Sequence, residues 1–447
     1  MAVHLVHAVD TEGPLYESVE ATFERLEEIF GVRDIEPTQK NLKRIQAGEL
    51  DLGDQTGLIR EALSNHRVST LGTWTEIREM LHRVTADELR LRVPDEDGRG
   101  WVFNWFCLDH VGFVTNPRRR DMGFHNIHDF YVAWLQEQPS ARDTIEWHFH
   151  PMSTYREAHR CATHYLRTSE IYEILSRRII ERDFFPSCYR AGFQAERPDS
   201  HWFLEQYVPY DISNMATADT TDIDGSIDFR NGRSGNWRKA PSDWTVYHPS
   251  HDDYQVPGHC RRLIGRALNL RNRIGNLTQD ELDLAFARAS DGSDILVGMC
   301  SHDWRDMQAE IETVHEMLAV ATERYPGVPF RYCQADEAFR AQLPAELRER
   351  QAPLDFAVSF EPERPGEDVP FIEIRTTAGE VFGPQPYLAI QTRSGRFLHD
   401  NLDFGQEPGV WYYAFHADTL PLADVACVGV AANDVLGNTV IRRFEPR

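Results

Sequence analysis

Four short stretches carry the side chains that hydrolytic chemistry needs. In Ile145-Glu146-Trp147-His148-Phe149-His150-Pro151 two imidazoles stand at i and i+2 at the end of an apolar run. On an extended strand such positions share a face, so His148 and His150 can hold one ligand between them. Neutral imidazoles in that arrangement suit a zinc-type site. Asp10-Thr11-Glu12-Gly13-Pro14 offers two carboxylates at the same spacing, the pairing that a metal ligand and a general base require. Ser301-His302-Asp303 ends another apolar run in a third imidazole, with Asp303 beside it. Tyr189-Arg190-Ala191-Gly192 places a guanidinium at a fourth strand end. Each stretch alone also has a plainer reading. A His-x-His pair packs or faces solvent, and Asp10 and Glu12 suit an Asx-type turn capping the next helix.

These residues need elements to hold them, and the pattern of the chain supplies them. Val3 to Val9 is rich in branched residues and reads as a strand, stopped by Gly13-Pro14. Val19, Phe23, Leu26, Ile29 and Phe30 have helical spacing, residues 31–72 are polar and mixed, and a helix capped by Thr73 or Thr75 runs to about Val84. A strand over Trp101 to Leu108 follows, then a helix over Ile127 to Gln138, the His148 strand, and one or two helices in 154–183. His159 and His164 are five apart, off the spacing of a helical metal pair, and are read as structural. Strands are expected at Pro186 to Phe193, Val208 to Ser213, Asp294 to Met299 and Val328 to Tyr332, with helices over Trp202 to Gln206, Gln308 to Glu323 and Asp336 to Gln342. Residues 214–260 are irregular, with Trp237, Trp244, Tyr247 and Tyr254 placed as loop aromatics that stack on a sugar or pack on a barrel rim. Strand–helix alternation up to residue 345 is the signature of a parallel α/β architecture. From 353 to 447 short alternating runs between Gly and Pro turns read as an all-β sandwich, with Trp411-Tyr412-Tyr413 alternating between its faces.

Composition narrows the partners. The 447 residues carry a formal charge of −24, which disfavours nucleic acid and anionic membrane surfaces. Arg118-Arg119-Arg120 is a local exception, read as a solvated loop rather than a substrate-anion contact. Seven cysteines without a Cys-x-x-Cys pair point to reduced, buried thiols. The first residues, MAVHLVHAVDTEGP, lack the basic and apolar regions of a signal peptide, and no apolar run has membrane-spanning length. A soluble cytoplasmic protein is expected, acting on a small molecule or oligosaccharide, with self-association into a homo-oligomer left open.

All four polar clusters fall at the C-terminal ends of strands, where parallel α/β folds build their sites. The order of the segments resembles the polysaccharide deacetylase family, also called the NodB-homology or carbohydrate esterase 4 superfamily, over residues 3–14 and 145–340. The resemblance implies a distorted, seven-stranded (β/α) barrel over 1–345, with the sandwich at 353–447 as an accessory domain. It implies Asp10 as base, Glu12, His148 and His150 on a divalent ion, Arg190 orienting the base and His302 as acid. The ion expected is zinc, with manganese or cobalt as alternatives. Trp237 and Asp303 are the candidate substrate contacts, Asp303 also keeping His302 cationic. In three places the chain departs from the family pattern: a four-residue spacing would put Met152 rather than His150 on the metal, Gly192 stands where proline is usual, and the insertion between the first and second motifs is long, about 130 residues. The expected activity is removal of an acyl group, most simply acetyl, from an amino sugar or related carbohydrate. The alternatives are hydrolysis of a non-sugar amide, and a metal-free carbohydrate-binding protein on the same barrel.

Overall fold

The computed structural model describes the chain except for residues 65–68, 115, 117–120, 139–141, 157–164, 166–167, 219–234, 272–274, 351, 362–368 and 447. Arg118 to Arg120, His159 and His164 therefore lie outside the described residues.

The N-terminal strand β1 (Val3–Thr11) is buried over its whole length. A strand covered on both faces needs no polar alternation, which is why it reads as a near-continuous apolar run. Around it stand β2 (Phe103–Leu108), β3 (Thr144–Phe149), β4 (Cys188–Ala191), β5 (Tyr210–Asn214), β6 (Leu263–Asn269) and β7 (Ile295–His302). They pair in sequence order, all parallel, and β1 joins β2 on one edge and β7 on the other. This is a closed seven-stranded barrel, as expected. A short eighth strand, β8 (Phe330–Tyr332), pairs with β1 at Val3 to Leu5, low on the edge that β2 occupies higher up. Helices fill the crossovers, among them Asn126–Glu137, Glu170–Arg182, Pro198–Tyr207, Gln279–Ser290 and Gln308–Arg324.

Register aligns the polar strand ends in one layer. Asp10 pairs with His302 across β1 and β7, and His148 pairs with Arg190 across β3 and β4. Between β1 and β2 the chain inserts the helices Val19–Phe30, Gln39–Ala47 and Thr56–Ala62, which bury Phe23, Leu26, Leu42, Ile45, Ile59 and Leu63 among themselves. Ser18 caps the first of them by accepting from the Ala21 amide, and Gly31 ends it with φ of 69°, a conformation costly for residues with a Cβ.

Among the described residues the C-terminal part has eight strands: β9 (Asp355–Glu361), β10 (Phe371–Ala378), β11 (Tyr387–Thr392), β12 (Phe397–Asp400), β13 (Asp403–Phe404), β14 (Val410–Ala414), β15 (Val425–Asn433) and β16 (Thr439–Phe444). They form two antiparallel four-stranded sheets, β13-β14-β10-β9 and β12-β11-β15-β16. Ile372, Ile374, Trp411 and Tyr413 face Leu388, Ile390, Val428 and Val430 in a shared core. The second sheet is covered on its other face too: Tyr387, Ala389, Phe397 and Ala431 pack with Ile171, Leu175 and Ile179 of the helix Glu170–Arg182.

Candidate metal centre

β1 delivers two carboxylates to one mouth of the barrel. Asp10 is its penultimate residue, and Glu12 follows in a turn that Gly13 takes with φ of 70°. Asp303 fixes that turn: one carboxylate oxygen accepts from the Glu12 amide at 2.9 Å, the other from the Gly13 amide at 3.1 Å and from the Tyr131 hydroxyl at 3.0 Å. Asp303 is fully buried, and burial pushes its carboxyl up to about 7 against the pull of the two amides.

Opposite stand the two histidines. His148 Nε2 lies 2.9 Å from His150 Nε2, and Glu12 Oε1 lies 3.9 Å from the first and 3.8 Å from the second. Three atoms at those separations share a point about 2.1 Å from each, the ordinary bond length of zinc to imidazole nitrogen and carboxylate oxygen. The tautomer also fits. His148 Nδ1 is 2.9 Å from the Arg190 carbonyl oxygen, which only accepts, so the proton sits on Nδ1 and Nε2 keeps its lone pair for a metal. Among the described residues, Glu12, His148 and His150 form a group whose ligand atoms all lie within 4.8 Å of one another. The donor set, two nitrogens and one oxygen, can hold a divalent ion of the zinc type.

The i+2 spacing works because His150 sits just past the end of β3, where Gly192 of the neighbouring strand end leaves room. A Cβ on Gly192 would lie 2.4 Å from His150 Cδ2 and 2.8 Å from the Phe149 carbonyl oxygen. Phe193, with φ of 53°, then covers the His150 ring at a centroid distance of 4.6 Å. Met152, where the family spacing would put a ligand, is buried, and its backbone amide donates to Thr168.

Beside the trio is a second group. Arg190 Nε donates to Asp10 Oδ1 at 2.7 Å, and its other nitrogens reach the Ile212 carbonyl and Cys300 Sγ. The Cys300 thiol in turn donates to Asp10 Oδ2 at 3.4 Å. Burial by itself would raise the Asp10 carboxyl, but the Arg190 guanidinium beside it holds it below the usual carboxylate range. Asp10 is thus an ionised, oriented carboxylate. His302 Nε2 faces it, 3.8 Å from Asp10 Oδ2 and 3.9 Å from Glu12 Oε1. On the other side of the ring, Nδ1 accepts from Arg305 Nη2 at 3.2 Å, which leaves the proton on Nε2. Burial, and then the Arg305 charge, hold the imidazole neutral.

The structure brings together Asp10, Glu12, His148, His150, Arg190 and His302, and corrects two expectations. Asp303 neither supports His302 as a cation nor meets substrate, because both its oxygens are taken by the turn and by Tyr131. Trp237 is no sugar platform: it is 3% exposed, packs on Tyr254, and donates its indole N–H to the Gln194 carbonyl. The other loop aromatics, Trp244, Tyr247 and Tyr254, are buried as well. Two site residues escaped the sequence reading, Cys300 and Arg305. The only signal was position, two before and three after His302.

No family model, no curated protein and no solved structure matches the chain.

Proposed function

We propose that this chain is a metal-dependent amide hydrolase that removes an acyl group, acetyl in the simplest case, from an amino sugar or related carbohydrate. One observation carries the reading. A nitrogen–oxygen donor trio shaped for a divalent ion shares one barrel mouth with a carboxylate that is ionised, buried and aimed by an arginine. Buried charge is costly to build, and an ionised carboxylate held beside a trio of metal-type ligands is placed for proton transfer. The order of the strand-end segments, which resembles that of polysaccharide deacetylases, supports the same reaction class. An ion at the trio would supply Lewis acidity, making a water more acidic and an amide carbonyl more electrophilic.

The residues then divide the work. Asp10 takes the proton of the attacking water, since its carboxylate is unprotonated and Arg190 fixes its direction. Cys300 donates to the second oxygen and keeps the carboxylate from rotating. His302 points its Nε2–H into the same space, where it hydrogen-bonds the charge that develops as the carbonyl carbon becomes tetrahedral. As the C–N bond breaks, the proton held by Asp10 passes to the leaving nitrogen, a role that the resemblance implies for His302 but that its neutral imidazole leaves to Asp10. The products are a free amine and a carboxylate.

Hydrolysis of a non-sugar amide is the second reading, and burial of the 237–254 aromatics favours it by removing the expected stacking platform. A panel of acetylated amino sugars against linear and cyclic amides, with zinc, manganese or cobalt added, separates the two. Asp10→Asn should lose at least about a hundredfold in turnover while still binding one metal per chain, because general-base catalysis is worth that much or more. Near wild-type turnover in that variant refutes the assignment of the base.

A further inference from the structure

Next to the metal centre is a cavity of about 100 Å³ with an unusual wall for an acidic protein. One side is the insertion, through Arg25, Leu26 and Ile29 of the helix Val19–Phe30; the other is the turn after β7, through Trp304 and Arg305, with Arg271 at the edge. Among the described residues three guanidiniums line it and no carboxylate does, in a chain of net charge −24. Two nearby acids balance part of this charge from outside the wall: Glu17 pairs with Arg25 at 2.8 Å, and Glu310 lies 3.9 Å from Arg305. Arg25 and Arg305 nevertheless each keep a buried Nε with no hydrogen-bond partner, and Arg305 is 7% exposed. Such groups call for an acceptor, and a charged one satisfies a guanidinium best.

Two of its lining residues, Trp304 and Arg305, touch the reacting group His302. Arg305 reaches His302 Nδ1 at 3.2 Å, and the Trp304 ring lies 4.9 Å from the His302 ring. We infer that this cavity is the subsite for an anionic group, carboxylate or phosphate, that the substrate carries on a short apolar stem. The insertion between β1 and β2 is then the element that selects the substrate. Arg25, Arg271 and Arg305 meet the anion; Leu26, Ile29 and Trp304 cover the stem. The volume is below the roughly 150 Å³ that holds a benzene ring, so the group is a few heavy atoms in size. The inference rests on the hydrolase reading only in calling the ligand a substrate.

Calorimetric titration tests it on the full-length protein stripped of metal, so that the ion itself cannot bind the probe. The probes are butyrate, butyl phosphate and butyramide, at low and moderate salt. At least one anion should bind roughly tenfold or more tighter than butyramide, and less tightly as salt rises. Whichever of butyrate and butyl phosphate binds better names the anion. Arg25→Gln with Arg271→Gln should cost the anion roughly tenfold or more and leave butyramide unchanged, while Arg271→Lys, which keeps the charge at an exposed position, retains most of the affinity. Equal binding of all three probes, or no binding of any, overturns the subsite. A second arm compares turnover of a neutral acetamido sugar and its phosphorylated counterpart in metal-loaded protein. Anion binding without hydrolysis of any amide refutes the hydrolase and keeps the subsite. Equal hydrolysis of both sugars, unchanged in the double variant, refutes the subsite and keeps the hydrolase.

Discussion

Gly192 lacks a side chain for a reason of space. Any Cβ there would collide with the His150 ring and with the Phe149 carbonyl oxygen, and the second of these is backbone that cannot swing aside. The glycine at this position and the two-residue histidine spacing therefore depend on each other. Gly192→Ala should displace His150 and weaken metal binding at least about tenfold, the scale on which misplaced ligand shells act. A competition titration with a coloured zinc chelator checks this, and unchanged affinity would mean that His150 is not a ligand. At this scale the sequence was informative where chemistry and spacing coincide. Asp10, Glu12, His148, His150, Arg190 and His302 stand out because a polar residue ending an apolar strand has few structural excuses. It was uninformative where a side chain has two good uses. A tryptophan in a loop packs or stacks with equal ease, and an aspartate after a histidine holds either the imidazole or the backbone; Trp237 packs and Asp303 holds the backbone, choices that residue type alone does not decide.

Strands hold these residues, and their legibility follows from what they bury. β1, β3 and β7 are apolar runs that end in polar residues, so both the element and its site end were readable. β6 was not. Its sequence, Leu263-Ile264-Gly265-Arg266-Ala267-Leu268-Asn269, follows Arg262 and carries Arg266 within it, and arginines suggest surface. Both are fully buried because each has carboxylates supplied from elsewhere in the fold. Arg262 reaches Glu196 at 2.9 Å and Asp211 at 3.4 Å, and Arg266 makes a two-pronged pair with Glu281 at 2.6 and 2.7 Å. The partners of Arg262 lie 66 and 51 residues away in the chain and that of Arg266 lies 15 away, so neither pairing leaves a local pattern. Arg262→Leu should leave two buried carboxylates without their cation and cost about 3–5 kcal/mol, read from urea unfolding. A loss under about 1 kcal/mol would show that the pair is already neutralised by a shared proton.

At the scale of the whole molecule, the sandwich is built onto the barrel rather than tethered beside it, because its second sheet is buried on both faces. The alternation read in residues 353–447 gave the β class but could not reveal this, since Tyr387, Ala389 and Ala431 look like the solvent face of a two-layer sandwich until the helix Glu170–Arg182 covers them. His399 sits in that seam. Tyr172 and Tyr387 stack on it at 5.0 and 4.1 Å, its Nδ1–H donates to the Leu388 carbonyl, and Tyr207 reaches its Nε2 at 3.3 Å. Burial lowers its pKa to about 4, against about 6.5 in the unfolded chain. Between those values the unfolded chain binds a proton that the folded one refuses, so stability falls as pH drops from about 6.5 to about 4. His399→Gln should reduce that slope by up to about 1.4 kcal/mol per pH unit, measured by denaturant unfolding at several pH values; an unchanged slope would place His399 in contact with water.

Everything proposed about chemistry depends on the ion. The most direct measurement is metal content and ligation of the full-length protein purified without an affinity tag that binds metal: elemental analysis, followed by X-ray absorption at the edge of the metal found. The account predicts one divalent ion per chain, bound by two imidazole nitrogens and carboxylate oxygen at about 2.0–2.2 Å, and lost in His148→Ala and in His150→Ala. A protein that carries no stoichiometric metal and takes up none from zinc, manganese or cobalt solutions contradicts it.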